Sequence, residues 1–156
     1  MKKYLSSILL VVILITCFSS GVLAQANQIR IAIVMANSID DMNWGQAMYE
    51  AALNVQKNLG EDNVEVAVSD KLTGVAAETA IREYASKGFD IVIAHSSGYI
   101  SMIEEIALDF PETTFANGTR DTTTIPNLFA YEPLAQEAGY LLGFIAANLT
   151  KTNVVG

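Results

Sequence analysis

The sequence predicts an α/β fold, an open parallel sheet flanked by helices. Three observations carry that prediction. Short, nearly continuous apolar runs recur along the chain, as strands buried on both faces require. Between them lie segments with apolar residues at helical spacing, closed by glycine or proline. The chain has 156 residues, 51% of them apolar and 17% charged. That suits one domain with a sizeable core and argues against disorder.

Ile29 to Met35 (IRIAIVM) is an apolar run that reads as a buried strand. From Trp44, apolar residues at Ala47, Met48, Ala51, Ala52, Val55 and Leu59 follow helical spacing, and Gly60 stops the helix. Val64 to Val68 is a second strand. Val75 to Lys87 is a second helix, with Gly88 at its C-cap. Phe89 to Ala94 (FDIVIA) is a third strand. Tyr99 to Phe110 is a third helix, halted by Pro111. Thr113 to Asn117 and Asn127 to Tyr131 are further strands. Pro133 opens a last helix reaching about Leu149. Asn153-Val154-Val155 starts one more strand. Alternating strands and helices imply right-handed crossovers and a parallel sheet. The chain stops on this apolar strand with almost no polar tail, so a C-terminal half is expected to be missing.

Residues 1–26 read as a signal peptide outside the fold. Lys2 and Lys3 form a positive start, Ile8 to Ile15 an apolar stretch, and Ala24-Gln25-Ala26 an A-x-A cleavage signal before Asn27. A lipoprotein signal with Cys17 as the lipidated residue is the second reading, and a retained membrane helix the third. All but the last give an exported domain, in the periplasm or on the outer face of the plasma membrane. The leader holds two of the nine basic residues and none of the seventeen acidic ones. The remainder therefore sets seven against seventeen, a net charge of -10. Such an acidic domain is a poor partner for nucleic acid or anionic lipid. One cysteine and one histidine leave no disulfide framework, no Cys-rich zinc site and no paired-histidine chemistry. No G-x-G-x-x-G or P-loop is present, so no nucleotide cofactor is expected.

Ligands of open α/β sheets bind beyond the carboxyl ends of the strands. Three such ends carry polar and aromatic residues: Asn37 to Trp44, His95 to Tyr99, and Asn117 to Asp121. Trp44, the single tryptophan, can stack on a planar heterocycle, with Asp41 or Asn43 bonding its edge. Equally, spacing alone lets Trp44 begin the apolar face of its helix. Asp40-Asp41 can cap that helix, hold a metal or act as acid and base; capping is expected of at least one of them. His95-Ser96 invites a nucleophile, but G-x-S-x-G is absent, and a hydrogen-bonding role at a helix start is more economical. Neither catalytic residues nor metal ligands are assigned.

Ile39-Asp40-Asp41-Met42-Asn43-Trp44-Gly45-Gln46 resembles a motif of the basic membrane protein family, substrate-binding proteins of ABC transporters related to nucleoside-binding lipoproteins. In that family an acidic residue, two spacers, an aromatic and Asn-Gln stand here. The segments Phe89 to Ala94, Ala107 to Glu112 before Phe115, and Glu137 to Gly143 fit as well. The likeness spans Ile29 to Gly156. It implies a type 1 periplasmic binding protein, of which residues 27–156 are the N-terminal lobe. A second lobe would close over a purine nucleoside, nucleobase or similar small molecule, and a membrane permease would be the partner. The resemblance assigns stacking to Trp44 and polar contacts to Asp41, with Ser96, Gly98 and Asn117 as further ligand residues. Two departures, Gly45 for the family's Asn and the lack of an acidic residue around Met35 to Asn37, leave a free base or another planar ligand open. The competing functions are a secreted hydrolase of nucleosides or esters using Asp41, His95 or Ser96, and a ligand-sensing signalling domain.

Overall fold

The computed structural model describes residues 28–120 and 122–155. The expected leader, with Cys17 and its cleavage site, lies outside the described residues.

Five strands form one sheet: β1 (Ile29–Met35), β2 (Val64–Ser69), β3 (Ile91–His95), β4 (Thr114–Gly118) and β5 (Leu128–Tyr131). Their order is β2-β1-β3-β4-β5, and every pairing is parallel. The helices are α1 (Trp44–Leu59), α2 (Gly74–Ser86), α3 (Ile100–Asp109) and α4 (Ala135–Leu149). The α/β reading and the parallel sheet hold. Ala32, Ile33, Val34 and Met35 are fully buried, as the continuous apolar run of β1 requires.

The two faces of the sheet are covered unequally. On one, α2 and α3 enclose the main core, in which Val34, Ile81, Val92, Ile103, Ile106 and Phe115 are buried. On the other, the buried cluster is Ile33, Met35 and Ala52, with Met48 and Tyr49 of α1 packed against it. Burial there is thin because α1 covers only part of the face. Val55 and Leu59 of α1, expected on its apolar side, are exposed.

Three expectations need correction. Strand and helix do not alternate throughout: β4 passes to the parallel β5 through residues 119–127 without a helix. Asn127 stabilises that link by donating its side-chain amide to the carbonyls of Ala107, Phe110 and Thr113. Asn153–Val155 is no strand. Asn153 has a φ of 58°, outside the extended region. The third helix also starts later than Tyr99. A 3-10 turn at Ser97–Tyr99, capped by the Ser96 hydroxyl, precedes α3, and the buried Tyr99 donates its hydroxyl to the Leu72 carbonyl at 2.5 Å.

Helix α4 stands apart. It carries Tyr140, Leu141, Leu142, Phe144, Ile145 and Leu149, all exposed, and none of its residues is buried. A helix this apolar ordinarily packs against something on more than one side. No described helix is long and apolar enough to cross a membrane.

Candidate functional site

The order β2-β1-β3-β4-β5 reverses direction between β1 and β3. In an open parallel sheet that reversal splays the following loops apart and leaves a crevice at the carboxyl edge. Met35, last residue of β1, is in register with His95, last residue of β3. Trp44 reaches this edge from the start of α1, and Tyr131 reaches it from the end of β5.

These three rings pack together. The indole of Trp44 lies on the imidazole of His95, with centroids 4.4 Å apart and planes inclined by 15°. Tyr131 is nearly parallel to His95, with centroids 6.0 Å apart, and its hydroxyl meets His95 Nδ1 at 2.5 Å. His95 Nε2 is 3.0 Å from the Trp44 carbonyl oxygen. A carbonyl only accepts, so Nε2 carries the proton and Nδ1 accepts from the Tyr131 hydroxyl. His95 is buried, and burial pushes its pKa below the ordinary value. Burial likewise pushes the Tyr131 phenol up. Gly118 makes room for this arrangement, since a Cβ there would lie 2.8 Å from Tyr131 Cζ and Oη.

Trp44 is held from the other side by its own helix start. Asp41 Oδ1 accepts from the Asn43 and Gln46 amides at 2.9 and 3.0 Å, and Oδ2 from the Gly45 amide at 3.0 Å. Gln46 answers by accepting the Met42 amide at 2.9 Å. This is a reciprocal cap, in which Asp41 stands two residues before the N-cap Asn43 and Gln46 bonds the amide one residue before it, rather than both using the N-cap itself as in the usual box. The amide bonds, that from Gln46 first, hold the Asp41 carboxyl below its ordinary pKa. Met42 turns the chain through a φ of 53°. The capping reading of the acidic pair therefore holds for Asp41. Asp40 instead accepts the Ser38 hydroxyl.

The other sequence-derived residues lie differently. Asn43 is exposed, and its side chain makes no capping bond. Ser96 is half-buried and its hydroxyl accepts the amide of exposed Gly98 at 3.2 Å. Asn117 is fully buried. Its Nδ2 donates to the carbonyls of Ala94 and Ser96 at 2.8 and 3.1 Å, while Oδ1 has no partner. Asn117 pairs in register with Ala94, on the α2–α3 side, whereas His95 lies on the α1 side. Thus Asp41, Asn43 and Trp44 gather at one side of the sheet edge, and Ser96, Gly98 and Asn117 at the other.

His95 bonds Tyr131 and the Trp44 carbonyl, and the Ser96 hydroxyl accepts the Gly98 amide, so His95 and Ser96 are not paired with each other. Among the described residues no three His, Cys, Asp or Glu side chains converge as metal ligands. A cavity of about 370 Å³ opens elsewhere, lined by Phe89, Asp90, Asp109 and Phe110 among others. It lies at the amino-terminal edge of the sheet, where Asp90 accepts the Arg30 amide and Asp109 pairs with Arg82. The strand topology favours the opposite edge, at Trp44. Sequence reading did not assign Tyr131 to this edge; its place at the end of a strand was the available signal.

The chain is 26% identical over 149 residues to a purine-binding protein of Brucella abortus, which covers 94% of this chain and 42% of that protein. It is 25% identical over 131 residues to the transcriptional activator protein med of Bacillus subtilis, over 81% of this chain and 39% of the relative. The chain thus spans about two-fifths of the length of these curated relatives. Among solved structures it resembles an ABC transporter solute-binding protein from Conexibacter woesei, with a TM-score of 0.62 and 26% identity, over 79% of this chain and 41% of that one. A solute-binding protein of Aeropyrum pernix shares the fold, with a TM-score of 0.67 at 21% identity over 76% and 32% of the two chains. Residues 28–156 match the family described as Bmp, ABC transporter substrate-binding protein PnrA-like, and the chain belongs to that family of substrate-binding proteins.

Proposed function

We propose that this chain is the first lobe of an exported solute-binding protein that captures a planar small molecule, a purine nucleoside or nucleobase, and hands it to a membrane permease. The observation that carries the reading is Trp44, half-buried at the switch point of the sheet and stacked on His95. The purine-binding name of the Brucella relative supports the ligand class. Both ring nitrogens of the one histidine are engaged within the protein, by Tyr131 and the Trp44 carbonyl, and the family is one of substrate-binding proteins; both support binding without chemistry.

In this reading residues 27–156 are the first lobe, and helix α4, apolar and without a buried residue, offers a face for a second lobe. That lobe would cover the ligand, since cleft proteins enclose most of a small ligand's surface between two bodies. Calorimetry with adenosine and inosine should show saturable binding and unchanged ligand. A longer version of the protein should bind measurably tighter than the 156-residue chain. Equal affinity would place the whole site in this lobe, and turnover of the nucleoside would favour a hydrolase. A signalling role remains the second reading, supported by the activator name of the Bacillus relative; a permease that stimulates transport on addition of the protein would decide against it.

Export is part of the same proposal. Peptide sequencing of the secreted product should begin at or near Asn27. A lipid-modified start at Cys17 would establish the lipoprotein form instead.

A further inference from the structure

Trp44 packs on other rings. Beneath it lie two aromatic rings joined at their edges. The His95 and Tyr131 planes differ by 15° with centroids 6.0 Å apart, and the 2.5 Å bond between Nδ1 and the hydroxyl closes the gap between them. The rings therefore lie side by side as one floor. The indole covers the His95 half at 4.4 Å and stands 6.3 Å from Tyr131, at 27°. The hydrogen bonds run in one direction, from the Tyr131 hydroxyl to Nδ1, and from Nε2–H to the Trp44 carbonyl.

The geometry points to His95 and Tyr131 as the positioning residues of the stacking platform: they form a floor that fixes the indole and holds only while the imidazole is neutral. The inference rests on the reading of Trp44 as the ligand's stacking partner, and it restricts that ligand to the outer face of the indole. A proton on Nδ1 would point at the Tyr131 hydroxyl proton. The hydroxyl would have to turn away, and a buried cation would lie under the indole. Burial opposes that charge and keeps the His95 pKa below 6.5. The groups facing His95 are few. Asp41, in the loop before α1, is the charged one and favours protonation weakly; Tyr131 on β5 stays neutral; the Trp44 carbonyl comes from α1. Acid thus acts against the floor. The folded chain takes up this proton at lower pH than the unfolded one does, so the contribution is complete above 6.5 and fades as pH falls through the folded value.

The chain has one tryptophan and one histidine, so an optical titration reads this pair alone. Imidazolium quenches indole emission more strongly than imidazole does. Emission of the unliganded protein should fall as the pH is lowered from neutral into the acid window, with a one-proton midpoint below the ordinary histidine value. The transition should vanish in His95→Gln. In Tyr131→Phe, which removes the hydroxyl that favours the neutral ring, the midpoint should rise by about half a pH unit or more. Tyr131→Phe changes one atom in a half-buried ring, so it keeps the test open if His95→Gln folds poorly. Flat emission across the window, or a transition that survives in His95→Gln, overturns the inference. An unmoved midpoint in Tyr131→Phe removes Tyr131 from it. Adenosine titrations at pH 7.5 and pH 5 separate this from the function proposed above. A titrating platform without adenosine binding at either pH sinks the purine reading and leaves the positioning role standing. Saturable adenosine binding with flat emission does the reverse.

Discussion

Gly45→Ala is expected to lower the melting temperature, although the same change inside an ordinary helix raises it. Alanine is favoured over glycine in a helix by about 1 kcal/mol. At Gly45 the added Cβ would lie 2.4 Å from the Ser38 carbonyl oxygen, 2.9 Å from Asn37 Cβ and 3.1 Å from Asp41 Oδ2. The nearest of these is backbone. Its loop is tied down by Asp70, which accepts the Ile39 amide, and by Ser38 bonding to Asp40. Either that loop or the first turn of α1 has to move. Overpacking of this kind costs about 1–3 kcal/mol, enough to cancel or reverse the propensity gain. A net loss near the upper end shifts a domain of this size by roughly 5–10 °C. Trp44 is the neighbouring residue, so its emission should change as well. Gly139→Ala in α4 is the control: no atom lies within 4 Å of its Cβ position, so the change should be neutral or stabilising. Thermal melts of the two variants decide the matter, and a Gly45→Ala protein melting at or above the parent would show that the loop gives way freely. The close approach also explains the departure from the family motif. A side chain at this position, such as the Asn after the aromatic in that motif, would collide with the Ser38 carbonyl on this backbone.

Much of the fold was legible because buried parallel strands leave a plain trace. The runs at Ile29 to Met35 and Phe89 to Ala94 are too apolar, and too short, for anything else. The misreadings share a physical cause. Val55 and Leu59 have the spacing of a buried face, yet what covers a helix face is decided by neighbours that periodicity does not name. Asn153-Val154-Val155 has the composition of a strand, but a strand exists only if another pairs with it. The step from β4 to β5 is held by side-chain bonds of Asn127 to three carbonyls, an arrangement without a sequence signature. At the site, Trp44 and Asp41 were visible because they lie three residues apart at a helix start. The cap itself could be anticipated from Asp and Gln flanking that start. The floor under Trp44 could not. His95 lies 51 residues from Trp44 and 36 from Tyr131, and their meeting depends on strand order. Two strands ending in His95 and Tyr131 and a helix starting at Trp44 become a site only when β1, β3 and β5 are known to share one edge in the order observed.

Trp44→Ala, made in a version of the protein that carries both lobes, is expected to weaken purine nucleoside binding by roughly one to two powers of ten. Stacking of a base on an aromatic side chain is worth about 1–3 kcal/mol in nucleic-acid systems, and about 1.4 kcal/mol is tenfold in affinity. The loss should come from the missing surface alone. His95 keeps its bond to residue 44, because that bond goes to the backbone carbonyl, and the Asp41 cap uses backbone amides that alanine retains. Folding stability should therefore fall less than the about 3–5 kcal/mol that removal of a buried tryptophan costs. What is lost from the fold is one ring stack on His95, worth about 0.5–1.5 kcal/mol beyond the area it covers. Trp44→Phe should retain part of the affinity, because a smaller ring still offers a flat face to the base. Calorimetry for binding and thermal melts for stability divide the two roles of the residue. Unchanged affinity together with a large drop in melting temperature would mean that the indole serves the core, as helical spacing alone suggests, and that the ligand lies elsewhere along the edge. Lost affinity with nearly unchanged stability would mean that the half-buried ring at the switch point is the face on which the ligand rests.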